Sequence, residues 1–160
     1  MLRAATDDDL GALRDLERDA NLAALGHVFP PDRFPFPDDD VLARWRIVLD
    51  DPTVDVLVQD GEDGRLDLFA AYDDVSLRHL AVRPEHWGRG LASEAIAAVL
   101  HGMHLRGTTV AELWCLEDNH RARRLYEHLG WQPADELRPA PWPPHPTEMR
   151  YTRPIVASER

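Results

Sequence analysis

Apolar positions along this chain alternate between two rhythms. Leu10, Leu13, Leu16 and Ala20 fall at helical spacing behind Thr6 and Asp7, either of which is a good N-cap, so the pattern predicts an amphipathic helix that Gly26 closes. Leu42, Trp45 and Leu49 predict a second helix over 41–49, capped and charge-stabilised by Asp38-Asp39-Asp40. Ala92, Ala95, Ile96, Val99 and Met103 mark a third, and a fourth is expected over 119–129. Short runs of strand-forming residues lie at 2–5, 54–58, 65–72, 75–82, 108–116, 132–137 and 148–152. Gly61-Glu62-Asp63-Gly64 is a hairpin signal, and Asp73-Asp74 marks another turn. Two segments rich in proline, Phe29 to Pro37 and Arg138 to Pro146, can be neither helix nor central strand and read as ordered loops. No internal repeat or linker interrupts this order, so one domain is expected over 1–160.

Composition narrows the class. A chain of 160 residues can bury roughly 70% of its unfolded surface in one core. With no apolar h-region and no run long enough to span a bilayer, a cytoplasmic protein without membrane partners is expected. Cys115 is the only cysteine, which leaves no internal disulfide and no cysteine-based zinc site. His101 and His104 read as an exposed helix face, and no metal is assigned. The net charge is −11 and every basic residue is arginine, an expected bias of genome composition. Residues 1–75 hold nineteen Asp/Glu against seven Arg, whereas 76–131 hold six against seven. An acidic chain with no basic stripe argues against direct nucleic-acid binding.

The chemistry centres on Val82-Arg83-Pro84-Glu85-His86-Trp87-Gly88-Arg89-Gly90-Leu91-Ala92, which joins a predicted strand to a predicted helix. Gly88 and Gly90 allow close backbone approach, and the helix start offers unpaired N–H groups and a positive dipole end, so the segment is a candidate phosphate cradle. Arg83, Arg89, Arg121, Arg123 and Arg124 bracket it. It fits neither common nucleotide motif. Ser93 stands where a Rossmann fingerprint needs its third glycine, and a Walker loop needs a lysine that this chain lacks.

Together with Asp118-Asn119-His120-Arg121-Ala122-Arg123-Arg124-Leu125-Tyr126-Glu127-His128-Leu129-Gly130-Trp131, this stretch resembles the GCN5-related N-acetyltransferase family. That family's loop reads Gln/Arg-x-x-Gly-x-Gly/Ala and its later helix Asn-x-x-Ala-x-x-x-Tyr-x-x-x-Gly-Phe. Gly90, Ala92, Asn119, Ala122, Tyr126 and Gly130 match; Trp87 replaces the usual Gln or Arg, and Trp131 the Phe. The likeness covers roughly Val75 to Trp131 in detail and the flanks by element order.

The resemblance implies an α/β fold: a mixed, mostly antiparallel sheet of six or seven strands flanked by about four helices and splayed between the strands at 75–82 and 108–116. It also implies acetyl-CoA as co-substrate. Trp87, Gly88, Arg89, Gly90, Leu91, Ala92 and Ser93 would cradle the pyrophosphate. The pantetheine arm would lie along Leu80, Ala81 and Val82 as an added strand. Asn119 would bond that arm, Ala122 leave room for it, and the Tyr126 hydroxyl protonate the departing thiolate. The implied reaction is direct attack of a neutral amine on the thioester. Ser76 and Trp114 occupy the positions where relatives place a glutamate, so His79 and Glu112 are the candidate bases. The acidic N-terminal half suggests a small, cationic amine as acceptor, with Phe34, Phe36, Trp45, Trp114 and Trp142 as candidate contacts. A protein or peptide amine as acceptor, and a non-catalytic acyl-CoA-binding domain, are the alternatives, and a homodimer stays open.

Overall fold

The computed structural model describes residues 1–156. A single seven-stranded sheet runs through it in the order β1-β2-β3-β4-β5-β7-β6. The strands are β1 (Leu2–Ala4), β2 (Asp55–Asp60), β3 (Leu66–Tyr72), β4 (Ser76–Val82), β5 (Val110–Leu116), β6 (Gln132–Pro139) and β7 (Thr147–Pro154). Four α-helices flank it: α1 (Leu10–Ala24), α2 (Asp38–Asp50), α3 (Leu91–Leu105) and α4 (His120–His128). All strand pairs are antiparallel except β4 with β5, as the mostly antiparallel expectation required.

That parallel pair is the feature that makes a site. β4 and β5 are in register only at Ser76 with Glu112 and at Leu77 with Leu113, after which they part. The later half of β4 therefore carries backbone groups without a ladder partner on the β5 side, a condition that a closed sheet does not tolerate.

Each sheet face has its own core. On one, Leu68, Ala70, Leu77, Ala111, Leu113 and Tyr151 pack with the inner stripe of α3, Ala95, Ile96, Val99 and Met103, and with Tyr126 and Trp131. On the other, Val56, Val58, Phe69 and Ala71 pack with Leu13 and Leu16 of α1 and with α2. The buried line of α2 is Val41, Trp45 and Val48, not Leu42, Trp45 and Leu49, both leucines being only half-buried. The cause is the helix start: Asp38 to Asp40 form its first turn, where the dipole favours them, rather than preceding it. β5 begins two residues later than expected. β6 and β7 run further, because Ala140 N–H donates to Pro146 O at 2.8 Å and shortens the loop between them. Proline is tolerated in β6 because it is the edge strand.

Among the described residues no helix is long and apolar enough to cross a membrane.

Candidate active site

The splay opens onto two adjoining cavities, and a third adjoins them through Glu17 and Asn21 of α1. The first, about 450 Å³, runs from β4 across the glycine turn to α4. Gly88 and Gly90 have φ of +81° and +82°, in the left-handed region, and a Cβ at either would meet only open space. Glycine is required here by backbone conformation rather than by crowding. The first backbone hydrogen bond of α3 returns from Glu94 to Gly90 O at 3.1 Å. The amides of Leu91, Ala92 and Ser93 thus have no acceptor within the helix, and all three residues line the cavity.

Trp87 has a defined place. Its indole N–H donates to Val82 O at 2.8 Å, and the Arg121 guanidinium lies 4.1 Å over its ring. Arg121 and Arg124 line the cavity; the other arginines that bracket the loop in sequence do not. Arg83 is buried against Asp63 and Asp67, where it ties the β2–β3 hairpin down. Arg123 donates to the Tyr151 hydroxyl and to Glu117 O. Arg89, expected at the cofactor, is exposed and donates to His86 Nδ1 at 2.9 Å. His86 itself lines the cavity and places Nε2 3.2 Å from Asp67, a link that sequence reasoning missed.

Asn119, Ala122 and Tyr126 share one face of α4 and line both this cavity and a second of about 210 Å³ beneath the splay. The Asn119 side-chain oxygen accepts from Ala122 N–H at 3.2 Å, so it caps α4 and leaves its amide nitrogen for other use. Tyr126 is buried between Trp131 and Tyr151, with ring centroids 6.1 and 6.2 Å away. Burial pushes its hydroxyl pKa above the ordinary tyrosine value, with the neighbouring Cys115 adding to the effect. Among the described residues that hydroxyl has no hydrogen-bond partner. The Cys115 thiol is pushed up to about 12 by burial and is unreactive.

The candidate bases separate. His79 lines the second cavity, its ring 5.2 Å from that of Trp45. Burial, then the charges of Arg44 and Arg78, pull its pKa down to about 3, so it is neutral near pH 7 and a poor holder of a proton. Glu112 lies outside the cavities. Its carboxylate accepts from Ser76 Oγ at 3.0 Å and from Arg150 Nη2 at 2.7 Å, an ion pair that braces β5 against β7. Trp114 lines the second cavity with Arg138 4.1 Å over its ring.

The third cavity, about 540 Å³, lies between the 29–37 loop, α2 and the 141–145 turn. Phe34, Phe36 and Trp142 line it. Trp45 does not. It is wholly buried against Phe69 and donates its indole N–H to Glu17 Oε1 at 3.0 Å. Glu17 and Asn21 line the second and third cavities, and Asn21 reaches the first as well. Sequence reasoning passed over both. Their signal was a Glu and an Asn one turn apart on α1, beside its buried stripe of Leu13, Leu16 and Ala20. Among the described residues no group of three or more His, Cys, Asp or Glu is placed to hold a metal.

Comparison with known proteins bears on this geometry. The mycothiol acetyltransferase of Beutenbergia cavernae is 35% identical over 88 residues, 52% of this chain but only 30% of that relative's length. A GCN5-related N-acetyltransferase structure from Rhodopseudomonas palustris has the same fold, with a TM-score of 0.78 at 14% identity, covering 97% of this chain and 95% of the other. The PaiA N-acetyltransferase of Thermoplasma acidophilum, solved in complex with coenzyme A, superposes with a TM-score of 0.74 at 13% identity over 96% of this chain and 98% of its own. The sequence model of the Acetyltransferase (GNAT) family matches residues 16–131, from the middle of α1 through both motifs to Trp131, and the chain belongs to that family.

Proposed function

We propose that this chain is an acetyl-CoA-dependent N-acetyltransferase that acylates a primary amine of a small cationic molecule by direct attack in a ternary complex. The observation that carries the reading is continuity. The unpartnered Tyr126 hydroxyl belongs to a residue lining both the cleft with the glycine turn and the cavity beneath the splay, and the latter shares Glu17 and Asn21 with the aromatic cavity.

The residues present fit acetyl-CoA. The unbonded amides of Leu91, Ala92 and Ser93 and the charges of Arg121 and Arg124 would take the pyrophosphate. Leu80, Ala81 and Val82, freed from β5 by the splay, would accept the pantetheine arm as an added strand. When bound, acetyl-CoA supplies an acetyl group already activated as a thioester. Tyr126, with its pKa raised, stays protonated across the working range and would give that proton to the departing sulfur. Asn119 would donate from its free amide nitrogen.

The acceptor must arrive as a neutral amine. For an alkylamine of pKa near 10.4 this costs about 4.6 kcal/mol at pH 7. His79, neutral in its site, can accept a hydrogen bond from that amine but cannot store its proton, and Glu112 is out of reach; the surplus proton would leave to water, from which Tyr126 would regain the one it gave the sulfur.

Two loops and α2 line the aromatic cavity of about 540 Å³, a size that favours a small acceptor over a protein chain. The test is titration of acetyl-CoA by calorimetry, followed by thiol release across a panel of amines, amino acids and peptides. Binding of the thioester and turnover with small cationic amines are expected. Absence of thioester binding would overturn the cofactor half of the reading, and turnover with peptides alone would overturn the acceptor half.

A further inference from the structure

Glu17 sits at the throat between the cavity beneath the splay and the aromatic cavity, lining both. Its side chain is only 13% exposed, a depth at which an ionised carboxylate needs partners. It has them on one oxygen. Oε1 accepts from Trp45 Nε1 at 3.0 Å and from Arg44 Nη2. Oε2 accepts no hydrogen bond among the described residues. Trp45 cannot swing away, being wholly buried between Phe69 and His79, so the carboxylate is held in one orientation with half its hydrogen-bonding capacity unused.

This arrangement is suited to a cation. Which nitrogen it holds follows from the acetyl-transfer reading, on which the inference rests. A carboxylate gripping the reacting nitrogen would stabilise its ammonium form and oppose formation of the nucleophile. The group that suits Glu17 is therefore a second cationic nitrogen that does not react. We propose that Glu17 is the specificity-determining residue for the acceptor: through Oε2 it anchors the non-reacting cation of a diamine-class substrate at the throat. The reacting amine then extends beneath the splay towards Tyr126.

The experiment compares 1,4-diaminobutane with n-pentylamine, the same length with a methyl in place of the second ammonium, by calorimetry at low ionic strength. It is run on the parent, Glu17→Gln and Glu17→Asp. Gln keeps an oxygen for the Trp45 indole and the Arg44 guanidinium but removes the charge and with it the ion pair to Arg44; Asp keeps the charge and withdraws it. A charge-assisted hydrogen bond predicts a preference of about tenfold or more for the diamine in the parent. The preference should collapse to less than about threefold in Glu17→Gln and be intermediate in Glu17→Asp. Acetyl-CoA affinity, measured on the same samples, should be unchanged and shows that the variants are folded. A parent without the preference, or a Glu17→Gln variant that keeps it, overturns the proposal. A parent that fails to bind acetyl-CoA counts instead against the acetyl-transfer reading, while the diamine comparison still decides the role of Glu17.

Discussion

The proposed cofactor cleft and the proposed acceptor cavity both reach Asn21 of α1 but are made of different material. The cleft is built from backbone: two glycines at positive φ, three helix-start amides and the freed edge of β4, with Arg121 and Arg124 adding charge. The acceptor cavity is built from side chains, Phe34, Phe36, Trp142, Glu17 and Asp40, brought together from three distant segments. Backbone sites bind what is common to many ligands, a phosphate or an extended amide chain. Side-chain sites bind what distinguishes one ligand from another. A change on the cofactor side should therefore alter the reaction with every acceptor equally, whereas a change on the acceptor side should alter the ranking of acceptors.

The strongest break of that symmetry is at Tyr126, which lines both the cleft with the glycine turn and the cavity beneath the splay. Tyr126→Phe keeps the buried ring and its contacts with Trp131 and Tyr151. Turnover should fall about 10²- to 10⁴-fold for all acceptors, with acetyl-CoA affinity unchanged. A kcat that survives, once chemistry is shown to limit it, removes Tyr126 from the proton path. Next in size is Gly90→Val. A β-branched side chain at φ +82° costs about 1–2 kcal/mol or more. For a chain of this size that lowers Tm by roughly 2–8 °C. KM for acetyl-CoA should rise while the relative kcat/KM of different amines stays fixed, and a changed ranking would show that the two regions are not separable.

The same contrast explains what could be read in advance. The motifs of the proposed cofactor side could be read because they are contiguous: Trp87 to Ser93 and Asn119 to Tyr126 are short local segments, matched through their resemblance to the family's pattern. The meander and the order of elements could be read as well, and the resemblance implied a splay between β4 and β5 without naming their parallel pairing. Glu17 and Asn21 were not legible, because their importance comes from α1 crossing the splay, a tertiary relation with no local signature. Trp45 was misplaced for a related reason. Its helix face was correctly apolar, but packing against Phe69 turned it into the core rather than the cavity. Glu112 and Arg89 had suitable chemistry, but Arg150 and His86 already engage them.

His79, half-buried, lines the cavity beneath the splay, and its neutrality has a cost in acid. The folded pKa of about 3 is below the unfolded value near 6.5, so the unfolded chain binds more protons between the two. This contribution to stability is whole above about pH 6.5 and is lost progressively as pH falls towards 3. Between about pH 7 and pH 5 the parent should lose about 1–2 kcal/mol more than His79→Gln, which has nothing to protonate there. Denaturant melts of the two proteins at both pH values measure the difference. Parallel losses would mean that the histidine is hydrated in the folded chain.

The smallest effects should come from the charges at the two rims, and they test the comparison most directly because each should act on one substrate only. Asp40 lines the acceptor cavity and is exposed; Arg124 lines the cofactor cleft and is also exposed. Charges in such positions contribute about 0.2–1 kcal/mol, or up to roughly fivefold in a rate or binding constant. Asp40→Asn should lower kcat/KM for a cationic amine by about two- to fivefold and leave KM for acetyl-CoA alone; Arg124→Gln should do the converse. Both effects should fade above about 0.5 M salt, where the Debye length shrinks to a few ångströms. If Asp40→Asn has no effect on cationic amines even at low salt, the acidity of the N-terminal half is a solvated surface. Acceptor choice would then rest on the fixed carboxylate of Glu17 and on the shape set by Phe34, Phe36 and Trp142.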